Sequence, residues 1–201
     1  MVTRQGLPLS DPATTFIELA TLLTLDDLVA VGDFLVLDPR VLDPHDPRPH
    51  ISLGSLRSAV GATSARGVPL ARRAARLVQV GVESRRETHL RLLLQRARLP
   101  EPICGYELLA GSGRHIGWFD LAWPEFRTIA EYDGEQHRTS ALQYDRDITR
   151  YDAASDEEWR VVRVRKRALL GSPQSVVDRV TNALRRGGWA PKGRKSTNRQ
   201  S

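Results

Sequence analysis

The residue types that could do chemistry concentrate between Gly117 and His137, in GWFDLAWPEFRTIAEYDGEQH. Three acids, Asp120, Glu131 and Asp133, stand within or at the end of apolar runs. An unpaired charge at such a depth is costly, so carboxylates placed there call for a compensating cation. The stretch reads as two apolar-rich strands joined by a tight turn at Trp123, Pro124, Glu125 and Phe126. Alternation along the second strand puts Arg127, Ile129, Glu131 and Asp133 on one face, and Phe126, Thr128, Ala130 and Tyr132 on the other. A turn centred between Pro124 and Glu125 pairs Asp120 with Ile129 and makes Glu131 its diagonal neighbour, with Cβ atoms roughly 7–8 Å apart. Two carboxylates at that separation can both reach one cation lying between them. Asp133 reads two ways, as a third carboxylate or as a cap of the Gly134 turn, since Asp-Gly is common turn chemistry.

The elements that must position these residues are legible on both sides of them. Ser84-Arg-Arg-Glu87 fits a capping box, with the serine accepting from an early amide and the glutamate returning to the serine amide. Leu90, Leu93, Leu94 and Ala97 then form the predicted buried stripe of a helix that Pro100 and Pro102 stop. ICGYELLA and HIGWFDLAW read as strands around a GSGRH turn, and FRTIAEYDG as the third strand. SALQYDRDITRYDAASDEE fits a helix with Leu142, Ile148 or Tyr151, and Ala154 facing inward. WRVVRVR is a strand, and SPQSVVDRVTNALRR a closing amphipathic helix. Helix, three strands, helix, strand and helix predict an α/β sandwich with a mixed sheet.

The first 80 residues show no catalytic constellation and read as a small, mainly helical module. Helices are expected from about Thr14 to Leu23, across DDLVAVGDFLVL with an interruption at Gly32, from Ser52 to Val60, and from Pro69 with Arg72, Arg73 and Arg76 on a solvated face. The domain reading is therefore 1–80 for this module, 81–190 for an α/β domain, and 191–201 for a basic disordered tail.

Composition bounds the function classes. The chain has 201 residues, enough to bury a sizeable core, and a formal net charge of +6. No apolar run approaches a membrane span, and the single Cys104 excludes an internal disulfide and a cysteine-rich zinc site. The expected setting is cytoplasmic. Residues 1–80 carry 8 arginines against 8 acids, and residues 81–184 carry 16 basic against 16 acidic residues, so both are neutral. The whole excess begins at Arg185 and includes Lys192 and Lys195, in a tail that could touch phosphates or simply keep the chain soluble.

Five motifs in order, E-T-x-x-R (Glu87 to Arg91), F-D-L-A-W-P-E (Phe119 to Glu125), E-Y-D-G-E-Q-H (Glu131 to His137), Y-D-R-D-I-T-R (Tyr144 to Arg150) and W-R-V-V-R-V (Trp159 to Val164), lie on this element order. Together they resemble an endonuclease-like family of actinobacterial proteins related to the very-short-patch repair endonucleases, within the PD-(D/E)XK superfamily. The resemblance covers roughly residues 82–188. The N-terminal module also resembles the region that follows an AbiEi-antitoxin-like winged helix in some of those proteins, and the chain starts too late to include that winged helix.

The resemblance implies a restriction-endonuclease-like core and metal-dependent hydrolysis of phosphodiester bonds in DNA. It places Mg2+ or Mn2+ on Asp120 and Glu131 through oxygen ligands. It makes His137 a proton donor to a leaving oxygen or an orienter of water, and Glu87 a position from which an extra acid is supplied. Arg150 and Arg146 would offset phosphate charge from the following helix. The superfamily's usual E-x-K lysine falls at Asp133, and an aspartate cannot supply its positive charge. A second departure is the acidic AASDEE before the WRVVRVR strand. The alternative expectation is therefore a catalytically inactive member of the fold, used as a DNA-binding or toxin–antitoxin-type regulatory protein.

Overall fold

The computed structural model describes residues 2–4, 6–134 and 141–191, with side chains over 6–134 and 147–191. Short polar side chains begin the helices where the sequence offers them. Asp11, Thr24, Ser52 and Ser84 each accept a hydrogen bond from the amide three residues on, at 2.9, 3.3, 3.0 and 3.2 Å, which satisfies one of the donors that every helix start exposes. These caps start α1 (Pro12–Leu19), α2 (Leu25–Val36), α3 (Leu53–Ala62) and α5 (Arg85–Arg96), while α4 (Val68–Leu77) starts behind Gly67. A two-stranded ribbon, β1 (Val2–Arg4) and β2 (Leu7–Leu9), precedes them.

Two helix expectations are corrected. α1 ends at Leu19 rather than near Leu23. α2 runs through Gly32 without a break, because Gly32 is there for space. A Cβ at that position would sit 2.3 Å from Val78 Cγ2 and 3.0 Å from Phe16 Cε2.

The sheet holds four strands in the order β3 (Ile103–Leu109), β4 (His115–Trp123), β5 (Thr128–Asp133) and β6 (Arg160–Arg165). The first three are antiparallel neighbours, and β6 joins β5 in parallel after the crossover helix α6 (Ala141–Asp156). The fold is thus α/β with a mixed sheet flanked by helices. A short helix, α7 (Lys166–Gly171), leads from β6 into α8 (Pro173–Arg186).

One face of the sheet, with Leu121, Trp123, Ala130, Val162 and Val164, packs on Leu90 and Leu94 of α5 and on Val176, Val180 and Leu184 of α8. The other face, with Phe119, Ala122 and Ile129, packs on Ala154 and Tyr151 of α6. Fully burying side chains of this size is worth about 1.5–3 kcal/mol each.

α5 departs from the single stripe expected of it. Leu92 enters the cluster of the N-terminal helices, Leu90 and Leu94 enter the sheet cluster, and Ala97 lies at the exposed C-cap. The helix is buried on two sides because it is the shared wall between layers. Asp33 of α2 and Arg91 of α5, 1% and 2% exposed, form an ion pair across that wall at 2.8 Å. Asp33 also accepts from the Thr88 hydroxyl and the Gln79 amide, both at 2.8 Å. Among the described residues no helix is long and apolar enough to cross a membrane.

Candidate functional site

The β4–β5 connection is a 3-10 turn over Pro124–Phe126, with Arg127 in the left-handed region at φ +42°. It aligns Leu121 with Ala130, Ala122 with Ile129 and Trp123 with Thr128. The turn is therefore centred one residue later than expected. The paired register ends at Leu121 and Ala130, so the expected pairing of Asp120 with Ile129 does not form: Ile129 pairs with Ala122, and Asp120 is held instead beside the Tyr132 amide.

β4 also changes facing at Asp120. Phe119 joins the α6-side core, and Leu121, two residues on, joins the α5–α8 side. Across from this point Gly105 takes φ +59° and stands outside the paired register of β3. Gly105 packs against Gly81, itself at φ +85°; a Cβ on either would meet the other's neighbouring backbone carbonyl, Cys104 O or Gly81 O, at 2.7 Å. Only glycine suits both the backbone angle and the approach. This approach brings the loop before α5, with Glu83 and Glu87, up to the acidic strands.

The result is a cavity of about 230 Å³ whose lining includes Arg40, Glu83, Glu87, Trp118, Asp120 and Arg150. Glu131 adjoins it, 7% exposed. Its Oε1 accepts from Arg150 Nη2 at 2.5 Å and from the Tyr151 hydroxyl at 3.5 Å. Its Oε2 is buried and has no hydrogen-bond partner. Asp120 Oδ2 accepts from the Tyr132 amide at 2.6 Å. Glu87 Oε2 accepts from the Glu83 amide at 2.9 Å, one residue earlier than the capping box predicts.

Charge in this cavity is unbalanced. Burial, then repulsion from Glu131 and Glu87, pushes the Asp120 carboxyl well above the usual range. Burial also raises Glu131, with the Arg150 guanidinium pulling the other way, and raises Glu87. For Arg150, burial works against the charge, yet Glu131 and Tyr151 more than restore it and its pKa rises. Burial, with Glu131 beside it, lifts the Tyr151 phenol to about 12, so it stays a neutral donor. Two guanidinium groups, Arg40 on Glu83 and Arg150 on Glu131, thus serve four acids, leaving room for a further positive charge.

Arg150 comes from α6, nineteen residues beyond Glu131. Its Nη1 donates to Trp118 O at 2.5 Å and its guanidinium lies over Phe119 and Tyr151. Gly117 makes the space, since a Cβ there would lie 2.4 Å from Arg150 Cδ. The sequence reading aimed Arg150 at phosphate; the structure turns it inward onto Glu131. Arg40, from the loop after α2, pairs with Glu83 and stacks over Trp118 at 5.1 Å. Sequence reasoning missed it, and an arginine in a proline-rich loop carries no signal of its own.

Asp133 stands apart from Asp120 and Glu131. It pairs with Arg163 at 3.0 Å and with Arg165 at 3.7 Å. His137, Lys192 and Lys195 lie outside the described residues, as does the side chain of Arg146. Among the described residues no group of three or more His, Cys, Asp or Glu side chains is arranged to hold a metal ion. Of the carboxylate oxygens near this cavity, Glu131 Oε2 is buried without a hydrogen-bond partner among the described residues.

A larger cavity, about 530 Å³, lies elsewhere, between α2 and the start of α5. Its acids are already committed, Asp27 to Arg85 and His89, Asp33 to Arg91 and Glu83 to Arg40, so it offers no converging reactive groups.

No family model matches the chain, and no solved structure matches it. Two uncharacterized proteins of Mycobacterium tuberculosis, from two strains, are each 27% identical to it over 121 residues. The matched region is 60% of this chain and 44% of each relative, so the chain spans less than half the length of the curated proteins it resembles.

Proposed function

We propose that the chain is a divalent-metal-dependent DNA endonuclease or nickase built on a PD-(D/E)XK core, acting in the cytoplasm. The observation that carries the reading is the buried, partnerless Oε2 of Glu131, near enough to Asp120 for their charges to repel, beside a cavity whose lining holds more carboxylates than cations. Asp120 and Glu131 would hold Mg2+ or Mn2+, hard cations that prefer carboxylate and water oxygens. Bound there, the metal supplies Lewis acidity at the scissile phosphate and a lowered pKa for an attacking water.

The protein's own groups do the rest. Arg150 opposes the effect of burial on Glu131 and holds Oε1, leaving the buried Oε2 without a partner. The Tyr132 amide orients Asp120. Glu87, tied to the Glu83 amide, adds negative charge that strengthens cation binding. Arg40 stands on the cavity rim, where a guanidinium can meet a phosphate. His137 is assigned the proton for the leaving oxygen.

A second reading has its own observation. Glu131 Oε1 is occupied by Arg150, and Asp133, at the lysine position, is held by Arg163. Both fit an idle member of the fold that binds DNA or regulates a toxin–antitoxin pair. Plasmid nicking separates the two. The nuclease reading expects Mn2+- or Mg2+-dependent nicking that EDTA abolishes and Glu131→Gln lacks. Metal-independent DNA binding with no nicking selects the idle reading.

A further inference from the structure

β6 is an edge strand of the sheet, and its outer side is lined with guanidinium groups. Three concavities follow this edge. Arg127 and Arg160 line the first, Arg160, Arg179 and Arg186 the second, and Arg163, Arg165 and Arg179 the third. Neighbouring concavities share Arg160 or Arg179, so the row is continuous. The acid lining it is Glu158, which pairs with Arg127 at 2.5 Å. Asp133 answers Arg163 and Arg165. Among the described residues Arg160, Arg179 and Arg186 have no ion-pair partner, although residues 81–184 are neutral as a whole.

We propose that the free edge of β6 and the adjoining side of α8 form a docking surface for the phosphate backbone of duplex DNA. The choice of DNA rests on the nuclease reading above, and the surface itself does not depend on hydrolysis. From Arg160 to Arg165 the strand extends about 17 Å at roughly 3.3 Å per residue, long enough to follow several phosphates spaced about 3.4 Å along the duplex axis. Arginine suits the task because its planar fork bonds phosphate oxygens in pairs. Register places Arg163 beside Glu131 and Arg165 beside Asp133, so the row runs along the strand next to the acidic cavity.

Two other occupants fit less well. A peptide strand adding to β6 needs its free carbonyls, and Arg179 Nη2 already donates to Arg163 O at 2.8 Å. Single-stranded nucleic acid needs open aromatic platforms, and Trp159 is committed to Tyr106 with ring centroids 5.5 Å apart.

The test is fluorescence anisotropy of the full chain with a labelled duplex in EDTA, across a salt series. Arg160→Gln/Arg186→Gln is expected to weaken binding at least about tenfold and to flatten the slope of log K against log salt by about 2, near 0.9 for each phosphate that is no longer neutralised. Arg73→Gln/Arg76→Gln, which removes the same charge from the exposed face of α4, is expected to change affinity less than about twofold. Equal weakening by both pairs, no duplex binding by the wild type, or tighter binding of single strands would each overturn the proposal. Edge-dependent binding without nicking in Mn2+ sinks the nuclease reading and leaves the edge standing. Nicking that survives Arg160→Gln/Arg186→Gln with unchanged affinity does the reverse.

Discussion

Replacing Asp120 by asparagine tests whether the cavity is built to hold a cation. Asp120 lies near enough to Glu131 for the Glu131 charge to raise the cost of ionising it. Two unit charges about 6 Å apart repel by about 3 kcal/mol at an effective dielectric near 20. The wild type escapes part of this by protonating Asp120, whose pKa burial and Glu131 hold high. The recoverable stability is therefore smaller, about 1–2 kcal/mol, within the range seen when a site's strain is relieved. Asparagine keeps an oxygen for the Tyr132 amide, so no hydrogen bond need be lost.

In EDTA near pH 8, Asp120→Asn should melt about 2–8 °C above the wild type, at roughly 2–4 °C per kcal/mol for a chain of this size. The sign with pH follows from linkage. An acid whose folded pKa is raised binds more protons folded than unfolded, so its ionisation removes stability as pH climbs from the unfolded toward the folded value. The advantage of asparagine should accordingly shrink on acidification into that window. Mn2+ should raise the melting temperature of the wild type and leave Asp120→Asn unmoved. A metal-free Asp120→Asn that melts below the wild type at pH 8 would refute the reasoning, since it would make the carboxylate a structural cap.

Three further outcomes are expected. Asp33→Ala should destabilise by about 3–5 kcal/mol in denaturant unfolding, because it strands Arg91 as a buried, unpaired charge. Gly32→Ala should lose about 1–3 kcal/mol by the same measurement, since its methyl would enter the space of Val78 and Phe16. Burial lifts the Cys104 thiol to about 12, so it should resist an alkylating reagent at pH 8 in the native protein and react at once on unfolding.

Local chemistry was enough for most of the elements. Caps at Asp11, Thr24, Ser52 and Ser84, proline stops and strand alternation place the helices and strands because each signal acts within a few residues. The acidic strands at Asp120 and Glu131 were legible for the same reason. The N-terminal region holds α1 to α4 behind a short β ribbon that the sequence did not announce, and its contact with the α/β layer through Asp33 and Arg91 was not legible either, as partners 58 residues apart leave no periodic trace.

What only the tertiary structure decided is who faces whom. A one-residue shift in the centre of the Pro124–Phe126 turn set Ile129 against Ala122 rather than Asp120, since in a hairpin the turn sets the register. The crossover helix then delivered Arg150 to Glu131 through the gap at Gly117, while among the described residues Arg160, Arg179 and Arg186 have no ion-pair partner beside β6. Sequence supplies the types of the charges. Packing of distant elements determines which of them neutralise one another and which remain free for a ligand.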